Sequence, residues 1–233
     1  MKRIIITAGG TSEKIDNVRK ITNSSTGKLS LTIANHLLEQ EDTIIYYVCS
    51  KNTLKPNNER VQNIEVYGTY DLKEKIEYLL TAYQIDYFIH SMAVSDYTTD
   101  YVTTMDRLEA SFINNTEVEK LTGTKISSYE DNLVIVLKPT PKIISIIKDI
   151  SPNTFLVGFK LLDGVSYEEL IEVAKRLRNK NNCDLVVAND LESIRNGEHI
   201  AYILDKKNNI EEAQGKDDIA VKLIRRLNVW TFY

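Results

Sequence analysis

MKRIIITAGGTSEKIDNVRKITNSSTGK, residues 1–28, opens the chain and joins two kinds of pattern. Lys2 to Thr7 is an isoleucine-rich run of strand length that breaks at Ala8-Gly9-Gly10-Thr11-Ser12. From Lys28 to Glu39 the period changes, with Leu29, Ile33, His36 and Leu37 at helical spacing. A strand, a turn of small residues and then a helix make the first unit of a parallel sheet with crossover helices.

The rhythm continues outward from this unit. Thr43 to Cys49 and Asn63 to Tyr67 read as strands, Asp71 caps a helix reaching about Tyr83 with Leu72, Ile76 and Leu79 on one face, and Asp86 to Ile89 is the next strand. After HSMAVSDY (90–97) the alternation stops. Residues 98–124 are polar, and the turn-like Tyr129-Glu130-Asp131 precedes a strand over 132–137, so about 98–137 reads as an inserted flap with a hairpin. Pro139 and Pro141 start a helix running to Ile150, followed by a strand over 154–159. The capping box Ser166/Glu169 opens a helix to about Asn179, and strands over 184–188 and 200–204 and a helix over 217–227 complete the pattern. The expectation is one α/β domain, 1–233, with a Rossmann-like, doubly wound, mostly parallel sheet.

Composition narrows the function classes. A net charge of −4 supplies no basic stripe, so nucleic acid is not an expected partner. No run approaches the roughly 18 apolar residues of a membrane span, and the first strand begins without a cleavage signal, so a soluble cytoplasmic protein is expected. Cys49 and Cys183 sit in apolar strand-like runs without metal-ligand spacing and read as reduced core residues. His36, His90 and His199 match no catalytic pattern and read as structural.

Two loops carry the chemistry. Gly9 and Gly10 serve equally as a phosphate cradle at a strand end or as a tight turn. The strict GxGxxG spacing is absent and the second strand ends Val48-Cys49-Ser50, without the acidic residue that holds a nicotinamide ribose. The stretch from Asp16 to Lys28 packs hydroxyls, amides, a guanidinium and a glycine before a helix N-terminus, which is anion-binding chemistry; a polar loop with a helix cap is the alternative.

These loops, together with HSMAVSDY, TKISS (124–128) before a strand ending Leu137-Lys138, VGFK (157–160) and DLVVAND (184–190), span nearly the whole chain, and their order resembles the phosphopantothenoylcysteine synthetase family in its monofunctional form. The resemblance implies condensation of 4′-phosphopantothenate with L-cysteine through an acyl-nucleotide, driven by CTP with ATP left open, helped by Mg²⁺, in a homodimer. It places Gly9, Gly10 and Thr11 at the triphosphate, and Ala93, Asp96 and Phe159 at the nucleotide. Asn23 falls at the acyl-nucleotide, and Arg19, Ser24, Ser25, Gly27 and Lys28 at the substrate. Lys125 falls on a flap that stabilises charge during activation. Two departures stand out. Ser127 and Ser128 replace lysines of the family's flap motif, and Leu177 and Asn181 occupy positions of its helix lysines. Arg178 and Lys180 lie near enough to serve instead, and Asn189 ends its strand as a further site residue. The metal ligands are left unassigned. An NAD(P)-dependent reductase and a nucleotide-binding regulator are the rival readings.

Overall fold

The structure, a computed structural model, describes residues 1–227; positions 228–233 of the expected 1–233 domain lie outside the described residues. The first half holds β1 (Lys2–Ala8), β2 (Ser12–Lys14), β3 (Lys20–Thr22), α1 (Lys28–Leu37), β4 (Thr43–Ser50), β5 (Val61–Val66), α2 (Thr69–Ala82) and β6 (Tyr87–His90). The flap follows as β7 (Tyr97–Thr104), α3 (Met105–Asn114) and β8 (Leu133–Pro139). The chain continues through α4 (Ile143–Ile150), β9 (Phe155–Leu162), α5 (Tyr167–Asn181), β10 (Leu185–Asp190), α6 (Leu191–Arg195), β11 (Ile200–Asp205), β12 (Ile210–Gln214) and α7 (Gly215–Arg226).

An eight-stranded sheet in the order β12-β11-β10-β9-β6-β1-β4-β5 organises the chain. It is parallel from β5 to β10 and antiparallel across β11 and β12. Successive residues of a strand point to opposite faces, and both faces here are covered. Ile4, Ile6 and Ala8 of β1 pack with Ile33, Ala34 and Leu37 of α1 and Leu223 of α7, whereas Ile5 joins Leu72 and Ile76 of α2, Ile147 of α4 and Ala174 of α5. Burial on both sides is why β1 reads as a continuous apolar run rather than an alternating one. Cys49 and Cys183 belong to these cores; burial pushes their thiols up to about 11 and about 12, which keeps them protonated and inert.

The sheet reverses direction at β1, which lies between β4 and β6, and a doubly wound sheet opens its ligand crevice at the carboxyl ends of such strands. There the loop after β1 and the loop after β6 are sewn together. Ala93 N donates to Gly9 O (2.8 Å), Thr11 N donates to Ala93 O (3.1 Å), and Ser95 N donates to the buried Thr11 Oγ1 (2.8 Å). Gly9 adopts φ +80°, and a Cβ on Gly10 would lie 1.9 Å from the carbonyl oxygen of Asn23.

Several elements differ from expectation. The polar loop after Thr11 folds into the β2–β3 hairpin. Gly68 rather than Asp71 is the N-cap of α2; Asp71 Oδ2 accepts from Tyr67 N, while buried Glu13 Oε1 accepts from both Thr69 N (2.9 Å) and Thr69 Oγ1 (2.8 Å). A carboxylate from β2 therefore satisfies that helix end, a partner that local sequence cannot reveal. The flap carries α3 between its paired strands, with Thr104 Oγ1 accepting from Arg107 N at the helix start. β12 and α6 also went unread, the first because Ile210–Gln214 carries two glutamates in a short edge strand, the second because it is five residues long.

Two stability outcomes follow. Gly10→Ala forces a methyl into a backbone carbonyl that cannot retreat without breaking the loop seam, so a loss of about 3 kcal/mol is expected. Urea unfolding should show a lower midpoint with an unchanged slope. The second concerns His90 at the end of β6. Thr7 Oγ1 accepts from Met92 N and lies 2.9 Å from His90 Nδ1, which ties the ring to β1. Burial pushes His90 down from 6.5 to about 4. Between those pH values the unfolded chain binds a proton that the folded chain refuses, so stability falls as pH drops through the window, by up to about 3 kcal/mol from this residue. Comparing thermal midpoints of the parent chain and His90→Gln from pH 7 to 4 should show a shallower slope in the variant.

Candidate functional site

A cavity of about 960 Å³ opens at the carboxyl ends of β1, β6, β9 and β10. Its floor is the chain from Asn23 to Ser30, and one wall is Ser91 to Asp96. The start of α4, the end of β9 and the last turns of α5 complete the rim, with Asn189, His199 and Lys216 contributed from the β10 side.

Its charge is one-sided. Lys28, Lys142, Lys160, Lys180 and Lys216 line it, against Asp96 as the lining carboxylate. Asp96 pairs with Lys142 at a mostly exposed position, a contact worth little in stability. The other four lysines meet no carboxylate among the described residues. A cleft lined by one sign of charge concentrates ligands of the other sign whatever the net charge of the chain. Helix α1 adds to this field: its N-cap is Gly27 (φ +72°), which has no side chain to cap it, Thr26 Oγ1 makes only a long contact with Lys28 N (3.4 Å), and no acidic residue stands in its first turn. The hydroxyls of Ser30 and Ser91 are committed to structure. Ser30 Oγ and Ser91 Oγ lie 2.8 Å apart, and Ser91 Oγ donates to Thr7 O (2.7 Å).

Asn23 is held from two sides, its N donating to Thr11 O (3.1 Å) and its Nδ2 to Ala93 O (3.3 Å). This fixes the carboxamide over the crevice with Oδ1 unspent by any hydrogen bond among the described residues. Alongside Asn23, the cavity gathers Ser24, Ser25, Gly27, Lys28, Ala93, Asp96, Phe159, Lys180 and Asn189 from the residues marked by sequence.

Others lie elsewhere. Gly9, Gly10 and Thr11 are buried behind the wall, and their close approach is to Ala93, Thr53 and Asn23 rather than to open space, so they shape the crevice instead of lining it. Arg19 gives its guanidinium to Asp16 and to Ile126 O, outside the cavity. Lys125 is exposed on the flap and does not line the cavity. Arg178 is turned away: its Nη1 donates to Asp205 O and to Asn208 Oδ1 (3.0 Å), bracing the β11–β12 turn. Helical geometry accounts for this, since positions 177, 180 and 181 share a face that 178 does not.

Sequence reasoning missed Lys142, Lys160 and Lys216. Lys160 directly follows Phe159 in the VGFK stretch, and Lys142 follows Pro141 at a helix start, so both carried a local signal; Lys216 arrives from α7 across the fold and carried none. His90 and His199, read as structural, also form part of the wall.

Comparison with known proteins agrees with this architecture. The chain is similar to the coenzyme A biosynthesis bifunctional proteins CoaBC of Thermococcus kodakarensis (35% identical over 207 residues, 88% of this chain and 45% of that protein) and of Methanocaldococcus jannaschii (29% over 227 residues, 97% and 50%). It spans about half the length of the curated relatives it matches. Among solved structures, the DNA/pantothenate metabolism flavoprotein from Streptococcus pneumoniae is similar over 99% of this chain and 100% of its own, at 37% identity and a TM-score of 0.87. A Cab2 variant solved with phosphopantothenate-cysteine shares the fold at 16% identity and a TM-score of 0.70. The model of the DNA/pantothenate metabolism flavoprotein C-terminal domain matches residues 1–229, and the chain belongs to that family.

Proposed function

We propose that this chain joins 4′-phosphopantothenate to L-cysteine, using CTP to activate the carboxylate and releasing CMP and pyrophosphate. The observation that carries this reading is the cavity itself: lysines without carboxylate partners and a helix N-terminus free of acidic residues surround a fixed asparagine, in a chain of this family. In the first step the substrate carboxylate attacks the α-phosphate and pyrophosphate leaves. In the second, the cysteine amine attacks the acyl-nucleotide, the bond to the nucleotide breaks, and the amide remains.

Both steps gather negative charge on oxygen, so fixed donors and cations do most of the work. The lysines of the wall and the α1 N-terminus hold phosphates, Phe159 and Ala93 flank the nucleotide, and Asn23 orients the activated carbonyl. Mg²⁺ brought in with the triphosphate would supply charge neutralisation, and Asp96, the carboxylate lining the cavity, would hold it once released from Lys142. A hard cation needs only one or two carboxylates besides phosphate oxygens, which suits a chain whose described residues hold no cluster of three or more potential ligands. No helix among the described residues is long and apolar enough to cross a membrane, and the reaction's soluble substrates suit the cytoplasm.

A homodimer is part of the reading. Alternate residues Leu133, Ile135 and Leu137 of β8 are exposed on one face of a two-stranded ribbon, and Phe112 and Ile113 of α3 are 76% and 82% exposed. A ribbon of two strands is marginal alone, and a contiguous apolar face calls for cover, here a second copy. Ile135→Asp should lower the mass measured by light scattering from dimer to monomer; an unchanged dimer removes the ribbon from the interface.

Pyrophosphate release with phosphopantothenate, cysteine, Mg²⁺ and each of the four nucleotides tests the reaction. CTP should give the highest kcat/KM; equal values for ATP overturn the nucleotide choice, and no release with any of them overturns the ligase. Quenching of NADH fluorescence would favour a reductase instead. Asn23→Ala should spare the first-turnover burst of pyrophosphate yet slow amide formation, and with it steady-state release, about a hundredfold, with acyl-nucleotide accumulating in quenched samples read by mass spectrometry. Lys125→Ala should slow the activation step about a hundredfold while leaving a measurable residual rate. A regulator that merely binds nucleotide would lose nothing in either variant.

A further inference from the structure

The flap segment around Lys125 is tied down from both sides by a loop that does not touch the cavity. Asn17 N donates to Thr124 O (3.0 Å), Ile126 N donates to Asp16 Oδ2 (3.2 Å), and Arg19 Nη2 donates to Ile126 O (2.6 Å). Thr124 and Ile126 are therefore anchored while Lys125 between them is exposed, and Ile126 itself is 7% exposed. The hub is Asp16, whose side chain is 1% exposed. Its Oδ1 accepts from Val18 N (2.8 Å) and Arg19 N (2.7 Å), and its Oδ2 from Arg19 Nε (3.0 Å) and Nη2 (2.8 Å) as well as from Ile126 N.

We propose that Asp16 is a positioning residue that, with Arg19, latches the flap to the β2–β3 hairpin and so fixes the backbone from which Lys125 works. This rests on the role for Lys125 in nucleotide activation given above. The physical case is that of a mobile catalytic group on a held base. A lysine carried on a free loop must be gathered from a large volume at each turnover, whereas one whose two neighbours are bonded searches only its own rotamers. The guanidinium is spent on Asp16 and Ile126 O, which makes Arg19 part of the latch rather than a donor to substrate. The same backbone and guanidinium donors hold the Asp16 carboxyl well below the usual carboxylate range, so the latch is charged at neutral pH.

Asp16→Asn is the sharpest change, because its shape is kept while the amide nitrogen confronts donors with another donor. Arg19→Gln removes the guanidinium but leaves the carboxylate, and serves if the first variant does not fold. The direct readout is trypsin cleavage after Lys125 in the full chain, located by mass spectrometry. Ile126 N and O are both bonded, so the parent bond should resist, and either folded variant should be cut at least about tenfold faster there. The kinetic readout is pyrophosphate release. The kcat should fall on the order of tenfold to a hundredfold with KM for CTP nearly unchanged, and Asp16→Asn should cost nothing further in a Lys125→Ala background. Unchanged cleavage overturns the latch, and so does an additive loss in the double variant. If Lys125→Ala alone leaves pyrophosphate release intact, the activation role of Lys125 falls, and the cleavage rates still decide whether Asp16 holds the flap.

Discussion

The site depends on one close approach, that of the Gly9-Gly10-Thr11 backbone to Ala93 and Asn23. A side chain at Gly10 would collide with a main-chain oxygen, and Thr11 is fully buried with its hydroxyl and amide both spent on the opposite loop. Three segments far apart in sequence are thereby locked at the reversal point of the sheet. Asn23 gains its fixed orientation from this lock, and the floor of the cavity from Asn23 to Ser30 hangs from it. Losing the approach would leave the sheet intact but unseat the floor. The glycines matter here through the protein segments they let approach one another.

Around this lock the fold separates stability from ligand affinity. The core lies on either side of β1, in two apolar layers that need none of the cavity residues. Lysines at the rim cost little there because solvent screens them, yet they act together on a multiply charged ligand. The exposed ion pair of Lys142 with Asp96 fits this division: weak as a brace, it is easily rearranged when phosphate or a cation competes for either partner.

The central architecture was legible because it rests on local periodicity. The run from Ile4 to Thr7 and the 3.6-residue spacing of Leu72, Ile76 and Leu79 each report a burial pattern that the sheet then imposes. What went unread depends on partners distant in sequence. Glu13 capping α2, Arg178 bracing the β11–β12 turn and Arg19 spent on Ile126 O each involve contacts across dozens of residues. That Asn23, Asp96 and Phe159 would line a cavity was legible because their strands and loops end at the crevice, where a doubly wound sheet opens. The position of the glycine loop behind the cavity wall was not legible, because small residues permit close approach to either a ligand or the chain itself, and nothing local distinguishes the two.

The departure at Leu177 and Asn181 shows why a charge requirement is harder to trace than a geometric one. Both positions do face the cavity, but with an apolar and an amide side chain. Lys180 lies on the same face of α5, and Lys160 and Lys216 reach the same space from β9 and α7. An electrostatic field is a sum over positions, so a cation can be withdrawn from one helix and supplied by another element without a matching residue in register. An oriented amide such as Asn23 has no such freedom, because a hydrogen bond depends on angle and on tenths of an ångström. Exact residue matches are therefore strongest where direction matters, and the cationic part of this cavity can be recognised only after the chain has folded.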